Sequence, residues 1–146
     1  MKKFTQLVHD KHKGLYEIEV SESELHTEVK KNYTHELSVK WKLKDGTPVI
    51  VLASGAIIYD KNQKQINYSY MVPTYLTPDG QTLKLQGTDE AVHQIVVDAF
   101  YTEYYGKDFS HKNKVIHHKD NNALNNQLWN LIVLDSETHG AIPHSK

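Results

Sequence analysis

The sequence predicts an α+β protein in which a β-rich amino-terminal part precedes one helix and a strand–loop–strand–helix unit. Two observations carry this prediction. Apolar and polar residues alternate along several short segments before Gly87, and this period of two is typical of half-buried strands. After Gly87 the apolar residues instead recur at helical spacing. The change in period divides the chain into a scaffold at 1–87 and a helix-containing unit at 88–146.

The amino-terminal part is expected to be mainly antiparallel sheet. Residues 1–14 are polar and should be loosely ordered, and residues 22–33 fit either a helix or a strand. The segments that we predict as strands are 15–21, both arms of a hairpin within 37–54, 56–59 and 66–72. The Asp-Gly pair at 45–46 forms the hairpin turn, and the Pro-Asp-Gly run at 78–80 forms a second turn.

A single amphipathic helix is predicted at 89–105. Its apolar face consists of Val92, Ile95, Val96, Ala99 and Phe100. Thr88 or Asp89 can cap the first turn with a side-chain oxygen, and Gly106 can end the helix in the left-handed conformation. His93 lies beside the apolar face, so we expect it to pack or to meet solvent rather than to take part in catalysis.

The segment VIHHKDNNALNNQLWNLIVLDSETHG at 115–140 has the pattern of two strands joined by a tight loop and followed by a short helix. The strands are 115–118 and 131–134. Asparagines crowd the loop, where they can adopt left-handed backbone and form local hydrogen bonds. Asp135 or Ser136 can cap the final helix.

Composition limits the chemistry that this 146-residue chain can carry. It has no cysteine, which excludes disulfides, thiolate zinc sites and cysteine nucleophiles and fits a reducing compartment. All 17 cationic residues are lysine and the net charge is −1, so charge alone does not indicate nucleic-acid binding. No segment has the length of a membrane span or a signal peptide, and we expect neither membrane insertion nor secretion.

Three histidines can meet in one small cleft of the last unit: His117, His118 and His139. One imidazole can act as a general base on water because its ordinary pKa lies near neutrality. The other two can hold a divalent cation that polarises a phosphoryl oxygen and stabilises a leaving oxyanion. His117 and His118 should have different tasks, since adjacent side chains on a strand point to opposite sides. A break at the strand end would let both border the cleft.

This unit resembles the HNH endonucleases (the ββα-metal nucleases), and most closely their phage and homing-type members. The three letters of the motif fall on His118, Asn130 and His139. The His-His-x-Asp run at 117–120 and the Asn-Asn pair at 125–126 also match the family's signature. The resemblance implies that the chain ends in a ββα-metal unit.

The segment VHQIVVDAF at 92–100 is similar to a helix that often precedes the motif in that branch, so the resemblance covers roughly residues 90–144. It implies hydrolysis of DNA phosphodiester bonds to a 5′-phosphate and a 3′-hydroxyl. One such unit has one active centre and should nick, so a double-strand break needs a homodimer or two encounters. The resemblance also implies a phage or mobile-element enzyme that acts in a bacterial cytoplasm.

Carried over position by position, the resemblance implies that His118 is the general base. His117 and His139 stand at the positions of metal ligands. For Asn130 the resemblance implies a structural role, in which its side chain forms a hydrogen bond across the loop and holds the strand that carries His118. Asp120 is expected either to orient His118 or to brace the loop.

His144 is a further candidate ligand, because some relatives have an additional histidine on the final helix. One divalent ion per site is expected. Imidazole ligands suit Mn²⁺, Ni²⁺, Co²⁺ or Zn²⁺, whereas Mg²⁺ prefers oxygen. We therefore expect activity with Mn²⁺, Ni²⁺ or Co²⁺ at least equal to that with Mg²⁺, and tight binding of Zn²⁺ with slow cleavage.

Four lysines near the predicted cleft can contact phosphates or simply meet solvent: Lys107, Lys112, Lys114 and Lys119. Three more lysines, at 40, 42 and 44, lie on one face of a predicted strand. A solvated outer face is the simpler interpretation of these three, and a phosphate-contacting ribbon is the alternative. Because arginine is absent, we expect weak, salt-sensitive binding and a partner that delivers the enzyme to its target.

The predicted function is thus a DNA endonuclease whose part at 1–87 supplies a scaffold and some of the DNA-binding face. Two alternatives stay open. One is a catalytically idle module that binds nucleic acid or protein on the same fold, although His118 argues against it because a pure binder needs no base beside a metal. The other keeps the chemistry and takes RNA as the substrate.

Overall fold

A computed structural model describes residues 3–10, 14–21, 37–61, 68–106, 109–111 and 114–135. Within these ranges the chain forms nine strands and one α-helix, so the predicted α+β class is confirmed. No helix in the described part is long and apolar enough to span a membrane. The ambiguous segment at 22–33 and the final helix predicted after Asp135 lie outside the described residues.

The strands form sheets of four, three and two members. In chain order they are β1 (Lys3–Asp10), β2 (Gly14–Ser21), β3 (Ser38–Lys42), β4 (Pro48–Leu52), β5 (Ile57–Tyr59), β6 (Thr74–Leu76), β7 (Leu83–Leu85), β8 (Lys114–His118) and β9 (Leu131–Asp135). The α-helix, α1, spans Val92–Tyr105. The strand orders are β2-β1-β9-β8, β3-β4-β5 and β6-β7, and all neighbouring strands are antiparallel.

The first strand, β1, lies inside the four-stranded sheet, so the expectation of loose order at 1–14 is wrong for the residues that form it. All eight residues of β1 pair with β2. On its other edge Thr5 and Gln6 pair with Val133 and Ile132 of β9. This strand could not be predicted from its polar composition, because it is stabilised by pairing with β2 and β9 rather than by the strand propensity of its own residues.

The hairpin predicted within 37–54 is confirmed as β3 and β4, paired over five residues each. Gly46 takes a φ of 87° in the turn, and its N–H donates to the carbonyl of Leu43 at 2.9 Å. The turn predicted at 78–80 is also confirmed, since it joins β6 to β7. There the N–H of Gly80 donates to the carbonyl of Thr77 at 2.8 Å. Both turns are local features of the sequence.

The strand predicted at 66–72 is wrong where the structure describes it. Tyr68–Tyr70 form a short 3₁₀ turn, and Met71 makes a single bridge to Ile58 of β5. Tyr70 and Met71 are both exposed and Val72 is buried, so burial does not alternate over these three residues as it does along a half-buried strand.

Helix α1 begins three residues later than predicted, and Thr88 and Asp89 do not cap it. The N-cap is Ala91, which offers no side-chain oxygen. Asp89 has a positive φ of 58°, and its carboxylate accepts the Tyr75 hydroxyl at 2.6 Å instead. The predicted end is confirmed, because Gly106 takes the left-handed conformation and donates its N–H to the Thr102 carbonyl.

The helix packs at the centre of a core that includes residues of all three sheets. Buried members of this core are Leu7 of β1, Val51 of β4, Leu85 of β7, Phe100 of α1 and Leu131 of β9. Each such side chain contributes about 1.5–3 kcal/mol by its removal from water. The units predicted at 1–87 and 88–146 therefore share one core, and the boundary between them stays a prediction.

Replacement of Leu7 tests whether β1 belongs to the folded structure. The side chain of Leu7 is 0% exposed, so Leu7→Ala should lower the free energy of unfolding by about 2–5 kcal/mol in a urea titration. Leu76→Ala, at a position that is 46% exposed, is the matched control and should change it by less than about 0.5 kcal/mol. Equal effects of the two substitutions would contradict the placement of β1.

Candidate active site

The predicted site residues lie on the hairpin of β8 and β9. His117 pairs with Ile132 and His118 pairs with Leu131, and residues 119–130 form the loop between the strands. His118 ends β8, and the chain turns at once because the N–H of Asn121 donates to the His118 carbonyl at 2.9 Å.

Both histidines border one cleft of about 170 Å³. His117 is 8% exposed and His118 is half-buried. The cleft also contacts Gln81, from the turn between β6 and β7, and Asn121 from the loop. The end of the strand thus brings two adjacent side chains to the same cleft, the arrangement that a break at this point was expected to allow.

The imidazole of His118 is held by an asparagine of the loop. Its Nε2 lies 2.8 Å from Oδ1 of Asn126. Because an amide oxygen can only accept, this contact puts the ring proton on Nε2 and leaves the lone pair on Nδ1. Nδ1 is therefore the basic nitrogen of this tautomer.

His93 of α1 packs against His118, which the sequence did not reveal. The two ring centroids are 5.3 Å apart and the planes meet at 64°. Burial lowers the pKa of His93 to about 4, and the nearby His118 and His111 act in the same direction. His93 is therefore neutral at pH 7, and it adds no positive charge beside His118.

Asn130 and Asp120 brace the loop from inside. The buried Asn130 side chain accepts the N–H of Asp120 at 3.1 Å and donates to the Asp120 carboxylate at 2.9 Å and to the carbonyl of Asn125 at 2.8 Å. The Asp120 carboxylate also accepts from the Asn125 amide and from the N–H of Asn122. These contacts correspond to loop bracing, and no contact of Asp120 with His118 is seen in the described part of the chain.

The other side of the loop rests on the turn between β4 and β5. Gly55 has a φ of 96°, and a Cβ atom at this position would lie 2.8 Å from the carbonyl oxygen of Asn126. The N–H of Leu128 donates to the carbonyl of Ala53 at 2.8 Å. The β3-β4-β5 sheet carries none of the predicted site residues. Its β4–β5 turn nevertheless positions Asn126, which holds the ring of His118.

Asn126, His93 and Gly55 are residues of this site that could not be recognised from the sequence. Asn126 is one of five asparagines in the loop, and although the pair at 125–126 belongs to the predicted motif, the motif does not say which of the two binds His118. His93 and Gly55 are distant in sequence from His118, so only the packing of α1 and of the β4–β5 turn reveals them.

The predicted metal ligands are only partly within the described residues. His117 borders the cleft, whereas His139 and His144 lie beyond Asp135, where the structure describes no residues. No set of three His, Cys, Asp or Glu side chains in the described ranges is arranged to hold a metal ion. The cleft is also lined by residues of the types that bind divalent cations. An imidazole such as that of His117 is a common ligand of transition metals, and the side chains of Gln81 and Asn121 contain amide oxygens, which bind Mn²⁺ or Mg²⁺.

The lysines predicted near the cleft are less available than expected. Lys107 and Lys112 lie outside the described residues. Lys114 is half-buried, and Lys119 is only 8% exposed, so Lys119 has little surface to offer a phosphate. The lysines at 40, 42 and 44 are all exposed.

Comparisons of the chain with protein-family models, with curated proteins and with solved structures found no match.

Substitution of Gly55 should disturb His118 through Asn126. Gly55→Ala combines an unfavourable φ with a clash against backbone, whereas Gly46→Ala has a similar φ of 87° and nothing within 4 Å of the added Cβ. Both should cost about 1–3 kcal/mol in urea unfolding for the backbone strain. Only Gly55→Ala should also change the imidazole ¹⁵N chemical shifts of His118 in NMR spectra. Unchanged shifts in Gly55→Ala would show that Asn126 does not depend on this contact.

The bracing role of Asp120 predicts a defined pH dependence of stability. Partial burial alone would raise the pKa of Asp120, but hydrogen bonds from Asn125, Asn122 and Asn130 outweigh it and hold the pKa below the ordinary 3.8. A depressed carboxyl pKa stabilises the folded state above the ordinary value, and this stability is lost as the pH falls through the folded-state pKa. The difference in unfolding free energy between wild type and Asp120→Ala should therefore be large at pH 7 and shrink below about pH 4.

Asn122→Ala is the control for this measurement. It removes the side-chain acceptor for the N–H of Leu124 in the same loop but no titrating group, so its effect should be the same at pH 7 and at about pH 3. A wild-type–Asp120→Ala difference that stayed constant over this range would contradict the bracing by the carboxylate.

Proposed function

We propose that this protein is a metal-dependent endonuclease of the HNH type that hydrolyses DNA phosphodiester bonds with His118 as the general base. One observation carries the proposal: the Nε2–H of His118 is bound to Asn126, and the ring borders a cleft shared with His117. An imidazole with a free Nδ1 lone pair at the edge of a water-accessible cleft has the state that a general base requires.

In the proposed reaction, the oxygen of a water molecule attacks the phosphorus while Nδ1 of His118 accepts the water's proton. The bond to the 3′ oxygen breaks with its electron pair staying on that oxygen. The resulting 3′-oxyanion takes a proton from solvent water, which gives a 3′-hydroxyl and a 5′-phosphate. A divalent ion bound by His117 and His139 would supply the positive charge that stabilises the leaving oxyanion. His117 and His118 therefore divide ligation and proton transfer between two adjacent residues.

Preorganisation of the loop supports the proposal. The loop at 119–130 is held by the buried Asn130 amide, by Asp120 and by the contact with Gly55. A general base is most effective when its position is fixed before the substrate binds. The three side-chain hydrogen bonds of Asn130 perform this function without contact with the reacting atoms.

His93 completes the surroundings of the base. Its neutral ring covers one side of His118 at 5.3 Å, which limits the orientations that the His118 ring can adopt. The proposed base is thus held by a hydrogen bond from the loop and by packing from the helix. The same ring borders the cleft.

Plasmid relaxation by wild type and His118→Ala tests the proposal, with Mg²⁺, Mn²⁺, Ni²⁺ or Zn²⁺ added in turn and EDTA as the blank. Wild type should nick supercoiled DNA in a metal-dependent manner, and His118→Ala should be slower by about 100- to 10,000-fold. Asn126→Ala should also reduce the rate, since it removes the acceptor that fixes the ring, but by a smaller factor.

Calorimetric titration with Mn²⁺ and urea unfolding of each variant are the controls. Metal binding and stability close to wild type in His118→Ala would assign its loss of nicking to the missing base. Nicking that persists in His118→Ala would refute the role of this residue. No cleavage of DNA with any ion, but cleavage of RNA, would change the substrate; no cleavage of either would favour the idle binding module.

A further inference from the structure

A second cleft, of about 260 Å³, lies between β3 and α1. Its walls carry Trp41 and Lys42 of β3, Lys44 of the following turn, Gln94 and Asp98 of α1, and His111. We refer to it as the β3–α1 groove. It contains charged groups of both signs, so whether it favours an anion or a cation depends on which of these charges are already paired within the protein.

Both carboxylates of the groove are engaged by protein groups. Asp98 Oδ2 lies 2.7 Å from Nδ1 of His111, and the Asp98 side chain is only 17% exposed. Glu90 also lines the groove and accepts the backbone N–H of Lys44 at 3.2 Å. The carboxylate of Asp98 is thus paired with an imidazole, and that of Glu90 has a backbone donor.

The ammonium groups are in the opposite situation. Lys42 and Lys44 are exposed, and neither has an ion pair with any residue in the described ranges. His111 contributes an imidazole whose Nδ1 is bound to Asp98, so its Nε2 edge is the part that remains for other contacts. Unpaired ammonium groups beside an imidazole and an indole make a groove suited to an anion attached to an apolar body.

The groove adjoins the candidate active site through His93. His93 packs on His118, and the charges of His118 and His111 both act on it. His93 and Gln94 are consecutive residues of α1, so the helix presents one of them toward the base and the other toward the groove. His93 therefore lies between the candidate base and a residue that lines the groove, His111.

We infer that the β3–α1 groove binds a backbone phosphate of the DNA whose phosphodiester bond is cleaved at His118, with Lys42 and Lys44 as the phosphate ligands. The inference rests on the proposed function, because it names a second contact with the same substrate. Trp41 supplies the apolar wall along which the attached sugar lies. This contact gives a protein with a net charge of −1 a local positive surface for a polyanion.

Binding of a fluorescent DNA duplex over a salt series tests the inference. The background is His118→Ala, measured by anisotropy with EDTA so that no cleavage occurs. Removal of one lysine–phosphate contact should make the slope of log K against log salt shallower by about 0.9. Lys42→Ala and Lys44→Ala should therefore each change the slope by about this amount, and the double variant by about twice as much.

Lys40→Ala is the matched control, because Lys40 is exposed on the same strand but does not line the groove. Its slope should equal that of the background protein. Equal slopes for the Lys40, Lys42 and Lys44 variants, or no DNA binding by the background protein at any salt concentration, would overturn the inference.

Nicking by the lysine variants on an otherwise wild-type chain separates this inference from the proposed function. A raised KM with unchanged kcat in the Lys42 and Lys44 variants supports the groove as a contact with the substrate. Shallower slopes in binding without nicking by the wild type would refute the nuclease and keep the groove as a DNA contact. Normal nicking with an unchanged KM in both variants would refute the groove and keep the nuclease.

Discussion

The contact between Gly55 and the backbone of Asn126 is the constraint on which the arrangement of the site depends. The loop can approach the β4–β5 turn this closely only because residue 55 has no side chain, since a Cβ there would lie 2.8 Å from the Asn126 carbonyl oxygen. The hydrogen bond from Leu128 to Ala53 fixes the loop at a second point. The Asn126 amide then stands 2.8 Å from the His118 ring. The orientation of the proposed base is therefore determined in a different sheet from the one that carries it.

His93 and His118 can lie close together because His93 is uncharged at pH 7. Two imidazoles with centroids 5.3 Å apart would repel each other if both carried a proton, and the low dielectric of a partly buried site would strengthen that repulsion. Burial keeps His93 neutral, with a pKa of about 4, so the pair holds at most one charge at pH 7. The half-buried carboxylate of Asp98 lies 2.7 Å from Nδ1 of His111, so this histidine has an acidic partner for any charge that it carries.

Local features of this fold could be predicted from the sequence, and features that depend on distant contacts could not. The turns at Gly46 and Gly80, the helix end at Gly106 and the β8–β9 hairpin each follow from a few adjacent residues. The strand at β1 could not be predicted, because it is stabilised by pairing with β9. The helix start was misplaced because the carboxylate of Asp89 binds Tyr75 instead of capping the helix. The same distinction applies to the site. Motif spacing was enough to group the residues of one hairpin and its loop, but it could not assign the contact with His118 to Asn126 or reveal His93 on α1.

The pairing of β1 with β9 also has a consequence for biosynthesis. β1 and β2 leave the ribosome before the other described strands and can form a local hairpin, but one edge of β1 stays unpaired until β9 has been made. An unpaired edge is a template for association with other nascent chains. The hairpin that carries His118 supplies the last two strands of this sheet, so the proposed site is assembled only after the other half of the sheet has been made.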